Sequence, residues 1–320
     1  MAKPRKRRRD KKPHPRLDWC VYVAVRILTA LLNVLPVRLT LAIACGCGRL
    51  LWLCYARGRE RALENLSAAY PKRDQAWLVK TARRSFEQIA MLGVDILLTP
   101  TLARKENWQQ YGQYKNVEHA KWLMQEGKGV ILVTGHYGNF EILGYILGLF
   151  GFDLSSVARP LDNAYLDRHI RGIREQHGQK IINKQGAANL MSQVGSQGAS
   201  LGLIADQDAG KKGLFVDFFG RSASTFKSIA VMAAVHNMPV AVGYSRRIGN
   251  QYRFEIGVKR IIFPEEWTTE KDPIRWITEQ YTGTIEAIVR EDPTQYWWVH
   301  RRWKTAPREK VKKRYDGMTV

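Results

Sequence analysis

Acidic residues are scarce in this sequence, which has 29 aspartates and glutamates against 51 lysines and arginines. The shortage leaves a formal net charge of +22, so an acidic partner or surface is expected. Nucleic acid, anionic lipid and an acidic carrier protein all meet that requirement. Hydrophobic residues make up 45% of the 320 residues, which excludes disorder of the whole chain and allows a sizeable core.

Cysteine is also rare, with four in the chain. All four lie early in the sequence and lack the paired spacing of zinc ligands: Cys20, Cys45, Cys47 and Cys54. This distribution argues against a disulfide framework. Because cysteines within apolar segments usually behave as small buried hydrophobic residues, we expect these four to be reduced, structural and buried.

Uninterrupted apolar runs of the ~20 residues that a clear transmembrane helix needs are missing as well. The run Trp19–Leu35 contains Arg26, the run Leu39–Tyr55 contains Arg49, and Pro36 separates the two. Since charged residues are costly inside a bilayer, we interpret the runs as a pair of membrane-associating helices. The long basic segment that precedes them disfavours a cleaved signal peptide.

These patterns predict four segments. Residues 1–16 form a basic arm that cannot fold alone, and residues 17–56 hold the membrane-associating helices. Residues 57–304 form one large domain, which we expect to be catalytic, and residues 305–320 form a charged tail. No repeat or low-complexity linker divides the chain after residue 60. The basic arm directly precedes apolar residues, which is typical of a segment that faces an anionic membrane.

From residue 129 onward, predicted strands alternate with helical patterns, beginning with Gly129–Thr134, a continuous apolar run rich in β-branched residues. The predicted strands are Gly129–Thr134, Leu154–Ala158, Ile181–Ile182, Ser200–Ala205, Pro239–Arg246 and, as an antiparallel edge strand, Tyr252–Val258. An amphipathic helix is also expected over Gln113–Gln125. The alternation predicts an α/β fold with a mixed, largely parallel sheet flanked by helices.

The stretch Gly-His-Tyr-Gly-Asn-Phe-Glu, residues 135–141, follows the first predicted strand and opens a helix. His136 and Glu141 can therefore face the end of the sheet where open α/β folds bind ligands. A carboxylate bonded to one imidazole nitrogen would leave the other free to take a proton from an attacking hydroxyl. The structural alternative is that His136 caps the helix and Glu141 pairs with a surface arginine. The two glycines and the helix N-terminus favour the functional interpretation.

This stretch resembles the His-X4-Asp/Glu motif of the lipid A biosynthesis acyltransferases, the lauroyl and myristoyl transferases of Gram-negative bacteria. Further segments are similar to that family in the same order: Arg159–Asn163, Asp206–Gly210, Gly213–Arg221 with Ser224 and Thr225, Met238–Val240, and Tyr296–Lys304. The resemblance covers residues 61–304.

The resemblance implies transfer of a fatty acyl chain from an acyl carrier protein thioester to a hydroxyl of a lipid A precursor or related glycolipid. The reaction would take place at the cytoplasmic face of the bacterial inner membrane. His136 would be the general base and Glu141 would orient it. No metal or other cofactor is implied, because the thioester already carries the activated acyl group. Acidic carrier protein and anionic lipid would both be attracted by the basic surplus.

Four further residues are candidates for substrate binding. Arg159 would bind a phosphate or another anionic group of the acceptor. Asp206 and Asp208 follow a predicted strand and would orient a sugar or a basic side chain, the alternative being a turn cap. Arg221 ends the segment Phe218–Arg221, which would line the acyl path unless its aromatic pair belongs to the core.

Two other functions remain open at the level of sequence. The same chemistry could act on a glycerolipid or another glycolipid, with an acyl-coenzyme A donor. A nucleic-acid-binding protein is the alternative from another class, because aromatic and basic residues alternate in Tyr296–Lys304 and could stack bases. We expect no nucleic acid partner, because the basic arm adjoins apolar helices and because nucleic-acid binding would not explain the residues around His136.

Overall fold

The computed structural model of the protein describes residues 14–183 and 187–307. Most of the basic arm, residues 1–13, and most of the charged tail, residues 308–320, lie outside the described residues. The chain begins with four helices, followed by a short strand and a further helix: α1 (Pro15–Val34), α2 (Val37–Cys54), α3 (Ala56–Ala69), α4 (Gln75–Leu102), β1 (Gly112–Lys115) and α5 (Glu118–Gln125). The helix expected over Gln113–Gln125 is thus a strand and a shorter helix, because Asn116 adopts a left-handed backbone conformation that separates the two.

Strands and helices then alternate as predicted. In chain order they are β2 (Ile131–Thr134), α6 (Phe140–Leu149), β3 (Leu154–Ala158), α7 (Ala164–Glu175), β4 (Lys180–Asn183), α8 (Ala187–Ser196), β5 (Ser200–Ile204), β6 (Leu214–Phe218), β7 (Arg221–Thr225), α9 (Ser228–His236), β8 (Val240–Arg247), β9 (Phe254–Ile262) and α10 (Pro273–Glu291).

The two N-terminal helices are apolar and largely unburied. By length and composition α1 and α2 could each cross a membrane, with 6% and 33% of their most apolar windows buried. Helix α2 packs on α4, and α1 contacts α7, where the Asn163 side-chain amide donates to the Asp18 carbonyl at 2.9 Å. The pair fits the expected membrane-associating appendage. All four cysteines are free, but only Cys45 is buried, so the expectation of four buried cysteines is wrong for the other three.

The central sheet has seven strands in the order β1-β9-β8-β2-β5-β3-β4. Its pairs are parallel except β8 with β9, which is antiparallel. The predicted mixed, largely parallel sheet is therefore confirmed. One detail was wrong: β9 is antiparallel but does not lie at the edge, because β1 pairs with its outer side.

Strand order also determines which face each helix covers. The chain moves in one direction across the sheet from β2 to β3 to β4, and then returns to β5 and β8. Since crossovers between parallel strands are right-handed, α6 and α7 cover one face, and α8 and α9 cover the other. The hydrophobic clusters agree, because Ile142 and Ile146 of α6 belong to a different cluster from Met191 of α8 and Ile229 of α9. The chain after β2 and the chain after β5 therefore meet at one edge of the sheet, at the carboxyl ends of these two strands.

A two-stranded antiparallel hairpin, β6–β7, lies outside the main sheet. This hairpin was not among the strands predicted from sequence. The hairpin packs on α10, and its Ser224 carbonyl accepts a hydrogen bond at 2.7 Å from the buried guanidinium of Arg302. The hairpin thereby fixes the C-terminal segment against the end of the sheet.

Candidate functional site

His136 lies two residues beyond β2 and is buried. The turn that holds it requires glycine at position 138, where φ is +55° and an added Cβ would collide with the Ser245 carbonyl. Next, Asn139 caps α6, since its side-chain oxygen accepts from the Ile142 N–H at 3.0 Å. The Asn139 amide donates at 2.9 Å to Asp95, which is buried and ion-paired with Arg247. The turn is therefore anchored to both α4 and β8.

Asp206 is the carboxylate that contacts His136. Strands β2 and β5 pair in parallel with Thr134 opposite Ile204, so the residues two positions further along each chain also lie opposite one another. Asp206 Oδ1 lies 2.6 Å from His136 Nδ1, and Asp206 Oδ2 accepts from the His136 backbone N–H at 2.8 Å. Burial alone would raise the pKa of Asp206, but the charge and hydrogen bonds of His136 hold it well below its usual range.

Glu141 pairs with Arg174 rather than with His136. Its two carboxylate oxygens accept from Arg174 on α7, at 2.7 Å and 2.9 Å, in a bidentate pair. Glu141 lies in the first turn of α6 and points toward α7, whereas Asp206 reaches the imidazole from the neighbouring strand. The structure therefore corrects the expected partner of His136 to Asp206. The pairing of Glu141 with an arginine, which was the structural alternative, is the arrangement found.

Aromatic rings surround the imidazole of His136. The ring centroids of Phe140, Trp297 and His300 lie 4.9 Å, 5.2 Å and 4.3 Å from it. The Trp297 N–H donates to the His136 carbonyl at 3.1 Å, which ties the C-terminal segment to the turn. Burial and the neighbouring His136 lower the pKa of His300 to about 4, so His300 is neutral near pH 7. Neither His300 nor Trp297 was predicted from sequence to lie at the site, although both belong to the segment Tyr296–Lys304 that resembles the acyltransferase family.

The second ring nitrogen of His136 is available for chemistry. With Nδ1–H donated to Asp206, Nε2 is the unprotonated nitrogen of the neutral ring. Its protein neighbour is the side-chain amide of Gln207 at 3.3 Å. Gln207 follows Asp206 directly in the chain. The arrangement is that of an oriented imidazole, with the carboxylate on one nitrogen and a long contact to the Gln207 amide on the other.

A large apolar cavity begins beside this turn. Its volume is about 660 Å³, within the ~300–1,000 Å³ range of small-molecule sites. The cavity lies between α6, α5 and one face of the sheet, and its lining includes Glu141, Arg174 and Phe140, whose ring contacts that of His136. Leu143 and Leu147 of α6 line it further along the helix. Its volume and largely apolar lining suit a hydrocarbon chain.

Three of the residues predicted to bind substrate do not contact His136 in the described part of the chain. Arg159 is exposed after β3 and pairs with Asp162 at 3.1 Å. Asp208 accepts from the backbone N–H and the hydroxyl of Thr305, at 3.3 Å and 2.9 Å, which supports its interpretation as a structural cap. Arg221 begins β7, and its guanidinium lies 4.7 Å from the ring centroid of Trp303.

His136, Asp206 and His300 also have the composition of a metal site. One nitrogen or oxygen from each lies within 4.8 Å of the others. However, the 2.6 Å between Asp206 Oδ1 and His136 Nδ1 is a hydrogen bond, shorter than the edge of about 3.3 Å that two zinc ligands at ~2.0 Å would define. An ion held by these two atoms would have to break that bond. The cluster in its present geometry fits an acid–base site better than a metal site.

Comparison with known proteins gives a consistent result. The sequence profile of a protein family described as "Bacterial lipid A biosynthesis acyltransferase" matches residues 6–305. A lipid A biosynthesis acyltransferase of Haemophilus influenzae is 25% identical over 296 residues, covering 90% of this chain and 88% of that protein. The lipid A biosynthesis lauroyltransferase of Escherichia coli is 22% identical over 304 residues, covering 94% and 96%. The palmitoleoyltransferase of the same pathway in Escherichia coli is 24% identical over 255 residues, covering 77% and 78%.

Proposed function

We propose a reaction for this chain from the premise that it belongs to the family of bacterial lipid A biosynthesis acyltransferases and is an O-acyltransferase. The reaction transfers a fatty acyl chain from an acyl carrier protein thioester to a hydroxyl of a lipid A precursor or a related glycolipid. His136 is the general base. The observation that carries the proposal is the His136–Asp206 pair beside the apolar cavity.

The chemistry requires one base and an oriented thioester. Asp206 holds the Nδ1–H of His136, so Nε2 takes the proton of the acceptor hydroxyl as its oxygen bonds to the thioester carbonyl carbon. The carbonyl oxygen becomes an oxyanion. When the C–S bond breaks, the carbonyl re-forms, and the sulfur of the leaving thiol takes the proton from the imidazolium. Asp206 stabilises that imidazolium while it exists.

Backbone amides near His136 are candidates for oxyanion stabilisation. Gly138 and Asn139 already donate their N–H groups to the carbonyls of Gln295 and Ser245. The amides of Phe140 and Glu141 lie in the first turn of α6, where a helix has no internal partner for them. They lie next to the base and at the start of the cavity, which supports their assignment to the developing charge.

The Glu141–Arg174 pair has a positioning role in this proposal. Both residues line the apolar cavity, and their bidentate geometry holds α6 against α7. We assign it to fixing the cavity entrance, so that the acyl thioester lies within reach of the acceptor oxygen. Arg159 remains a candidate for an anionic group of the acceptor. Asp206 acts through His136 rather than on a sugar.

Charge and apolar surface support the assignment of donor and location. Acyl carrier proteins are acidic, so the net charge of +22 favours their encounter as well as contact with anionic lipid. The exposed apolar residues of α1 and α2 favour attachment to a membrane. We place the catalytic domain at the cytoplasmic face of the bacterial inner membrane, where an acyl carrier protein would reach it. No nucleic acid partner is proposed, since Tyr296 and Trp298 of the C-terminal aromatic segment are buried and cannot stack bases.

The experiment is a transfer assay with labelled acyl donors. Membranes that contain the chain are supplied with either acyl carrier protein thioester or acyl-coenzyme A. Each donor is tested with a lipid A precursor, a simpler glycolipid and a glycerolipid. We expect labelled ester on the lipid A precursor with the carrier protein donor. Label that appears only on the glycerol hydroxyl would overturn the acceptor, and transfer only from coenzyme A would overturn the donor.

A further inference from the structure

A second cavity lies outside the His136 site and is rich in cations. Its volume is about 480 Å³. Residues at the end of α3, at the turn of the β6–β7 hairpin and on α10 line it: Ala68, Ala69, Tyr70, Pro71, Lys72, Arg73, Phe219, Gly220, Arg221 and Arg290. We call it the cationic pocket. Four of its side chains are basic and none is acidic, so its potential favours an anion.

Three of the four cations have no carboxylate partner within residues 14–183 and 187–307. Lys72, Arg73 and Arg221 form no ion pair there, while Arg290 pairs with Glu286 at 2.6 Å. Aromatic rings support the free guanidiniums instead. Arg73 lies 5.0 Å from the ring centroid of Trp77, and Arg221 lies 4.7 Å from that of Trp303. Stacking holds an arginine in place and leaves its N–H groups available, which suits recognition of a planar or tetrahedral oxyanion.

The hairpin turn is held in an unfavourable conformation. Phe219 has a φ of +59°, which is costly for a residue with a side chain, and Gly220 has a φ of +70°. Glu286 accepts the Phe219 N–H, and Asp217 accepts the Gly220 N–H at 2.9 Å. These contacts fix the turn, so that Arg221 begins β7 at the border of the pocket. A strained turn stabilised by two carboxylates is consistent with a site that is formed before its ligand binds.

Tyr70 adds a hydrogen-bond donor. Its side chain lines the pocket, and its hydroxyl is buried without a hydrogen-bond partner among the described residues. Burial raises the pKa of Tyr70 to about 12, so the hydroxyl keeps its proton at physiological pH. A buried donor with no partner is uncommon in folded proteins, and an anion beside the cations would satisfy it.

The pocket is connected to the His136 site through two tryptophans. The ring of Trp298 lies 6.0 Å from that of Tyr70 and 5.7 Å from that of Phe219. Its neighbour in the chain, Trp297, contacts His136. The pocket also lies at the C-terminal end of α3. The 14 residues of α3 begin at the end of α2 and extend about 20 Å, so they separate the pocket from α2 by that length.

From this position we propose that the cationic pocket binds an anionic group, a phosphate or a carboxylate, carried by the sugar portion of the glycolipid acceptor. The inference rests on the proposed function, because it assumes a glycolipid acceptor at His136. An ordinary phospholipid headgroup fits less well, since the pocket is a helix length away from the apolar helix α2. A glycolipid with several sugars can bridge the pocket and the base at once.

The test compares the double variant Arg73→Gln/Arg221→Gln with the control Arg253→Gln/Lys271→Gln. The control removes two exposed cations that make no ion pair in the described structure and lie outside both cavities. Steady-state transfer is measured with a phosphorylated acceptor and with the same acceptor after removal of its phosphates. We expect KM for the phosphorylated acceptor to rise by about 10-fold or more in the pocket variant alone, as for loss of charge-assisted hydrogen bonds. The turnover number and KM for the acyl donor should stay within about 2-fold.

Three outcomes would overturn the inference. A raised KM for the carrier protein donor, with the acceptor KM unchanged, would make the pocket a carrier-protein contact. Loss of flotation with phosphatidylglycerol vesicles, at unchanged acceptor KM, would make it a site for ordinary lipid headgroups. Equal KM for both acceptors in wild type would mean that no acceptor anion is recognised. The variant Arg221→Lys is included as a rescue, because it keeps the charge and should restore part of the affinity.

A binding measurement separates this inference from the proposed function. Glucosamine 1-phosphate and inorganic phosphate are titrated into the detergent-solubilised chain, with no acyl donor present. Weaker binding of the phosphosugar to the pocket variant than to the control would support the pocket even if no acyl transfer were detected. Equal binding by both would overturn the pocket, whatever the transfer assay shows.

Discussion

Asp206 contacts His136 through both of its carboxylate oxygens, at 2.6 Å from the ring nitrogen Nδ1 and at 2.8 Å from the backbone nitrogen. The first contact selects the tautomer, and the second fixes the position of the residue that carries the ring. A single side chain thus orients the base and shapes the turn after β2. Because the contact depends on pairing between β2 and β5, the site exists only when the sheet has formed.

The substitution Asp206→Asn should lower turnover by about 10²- to 10⁴-fold, as happens when the carboxylate behind a catalytic imidazole becomes an amide. An asparagine can donate to Nδ1 and so favour the wrong tautomer. Initial rates at saturating donor and acceptor test this. Asp153→Asn is the control, since Asp153 is half-exposed and, among the described residues, forms its ion pair with Lys180. Turnover within about 2-fold of wild type in Asp206→Asn would remove Asp206 from the mechanism.

Glu141 and Arg174 should behave as one unit. We expect Glu141→Gln and Arg174→Gln each to lower turnover by about 10-fold or more, and the double variant to lose no more than either alone. The reason is that either change breaks the same bidentate pair. The full double-mutant cycle measures the coupling. If only Glu141→Gln lost activity, Glu141 would act on the reactants directly, and our positioning role for the pair would be wrong.

Filling the apolar cavity should change the chain length of the acyl group. Leu147 lines the cavity about 10 Å along α6 from Phe140. Leu147→Trp should therefore exclude the far end of a long chain and raise the ratio of short-chain to long-chain transfer by about 10-fold. Competition between two labelled thioesters of different length measures that ratio. Leu149 lies on the same helix but outside the cavity lining. The ratio of short-chain to long-chain transfer in Leu149→Trp should therefore match that of wild type. A shift in both variants would indicate general distortion of α6.

His300 should make stability depend on pH. Its folded pKa of about 4 lies below its ordinary value, so between about pH 6.5 and 4 the unfolded chain binds a proton that the folded chain does not. The free energy of unfolding should therefore fall as the pH falls, by about 2 kcal/mol from this residue at pH 5 relative to pH 7.

Denaturant titration in detergent at the two pH values measures that difference. In His300→Gln the loss between pH 7 and pH 5 should be smaller than in wild type by about that amount. Asp206 does not contribute to this difference. Its lowered pKa makes stability depend on pH only below the pKa of aspartate in the unfolded chain, which is about 3.9. An unchanged pH dependence in the variant would show that His300 is not buried as a neutral ring.

Local patterns predicted the fold where each element carries its own signal. The strand predicted at Leu154–Ala158 forms with those bounds, and the helix predicted after His136 forms as α6. Strand β1 was missed because its residues are mostly exposed and polar, so no alternation marks it. The β6–β7 hairpin was not predicted from sequence. Its segment was noted only for its similarity to the acyltransferase family, and no strand was assigned to it.

The sequence predicted where His136 lies, but not that Asp206, rather than Glu141, is the carboxylate that contacts it. The position of His136 after a buried strand and before a helix follows from local pattern alone. Its partner depends on which strand lies next to β2 and in what register, and spacing along the chain does not contain that information. Glu141 is predicted as the partner because it is the acidic residue of the His-X4-Asp/Glu motif and lies five positions after His136. Asp206 was named as a candidate, and its role became visible only when β5 was found next to β2.

The most direct test of the account is acyl transfer by wild type and His136→Ala side by side, with His119→Ala as a control. His119 is exposed on α5 and lies outside both cavities. Labelled acyl carrier protein thioester and a lipid A precursor are supplied to each. Wild type and control should transfer equally, and His136→Ala should lose more than about 10²-fold in turnover while still unfolding cooperatively. Equal transfer by folded His136→Ala would contradict the assignment of His136 as the base.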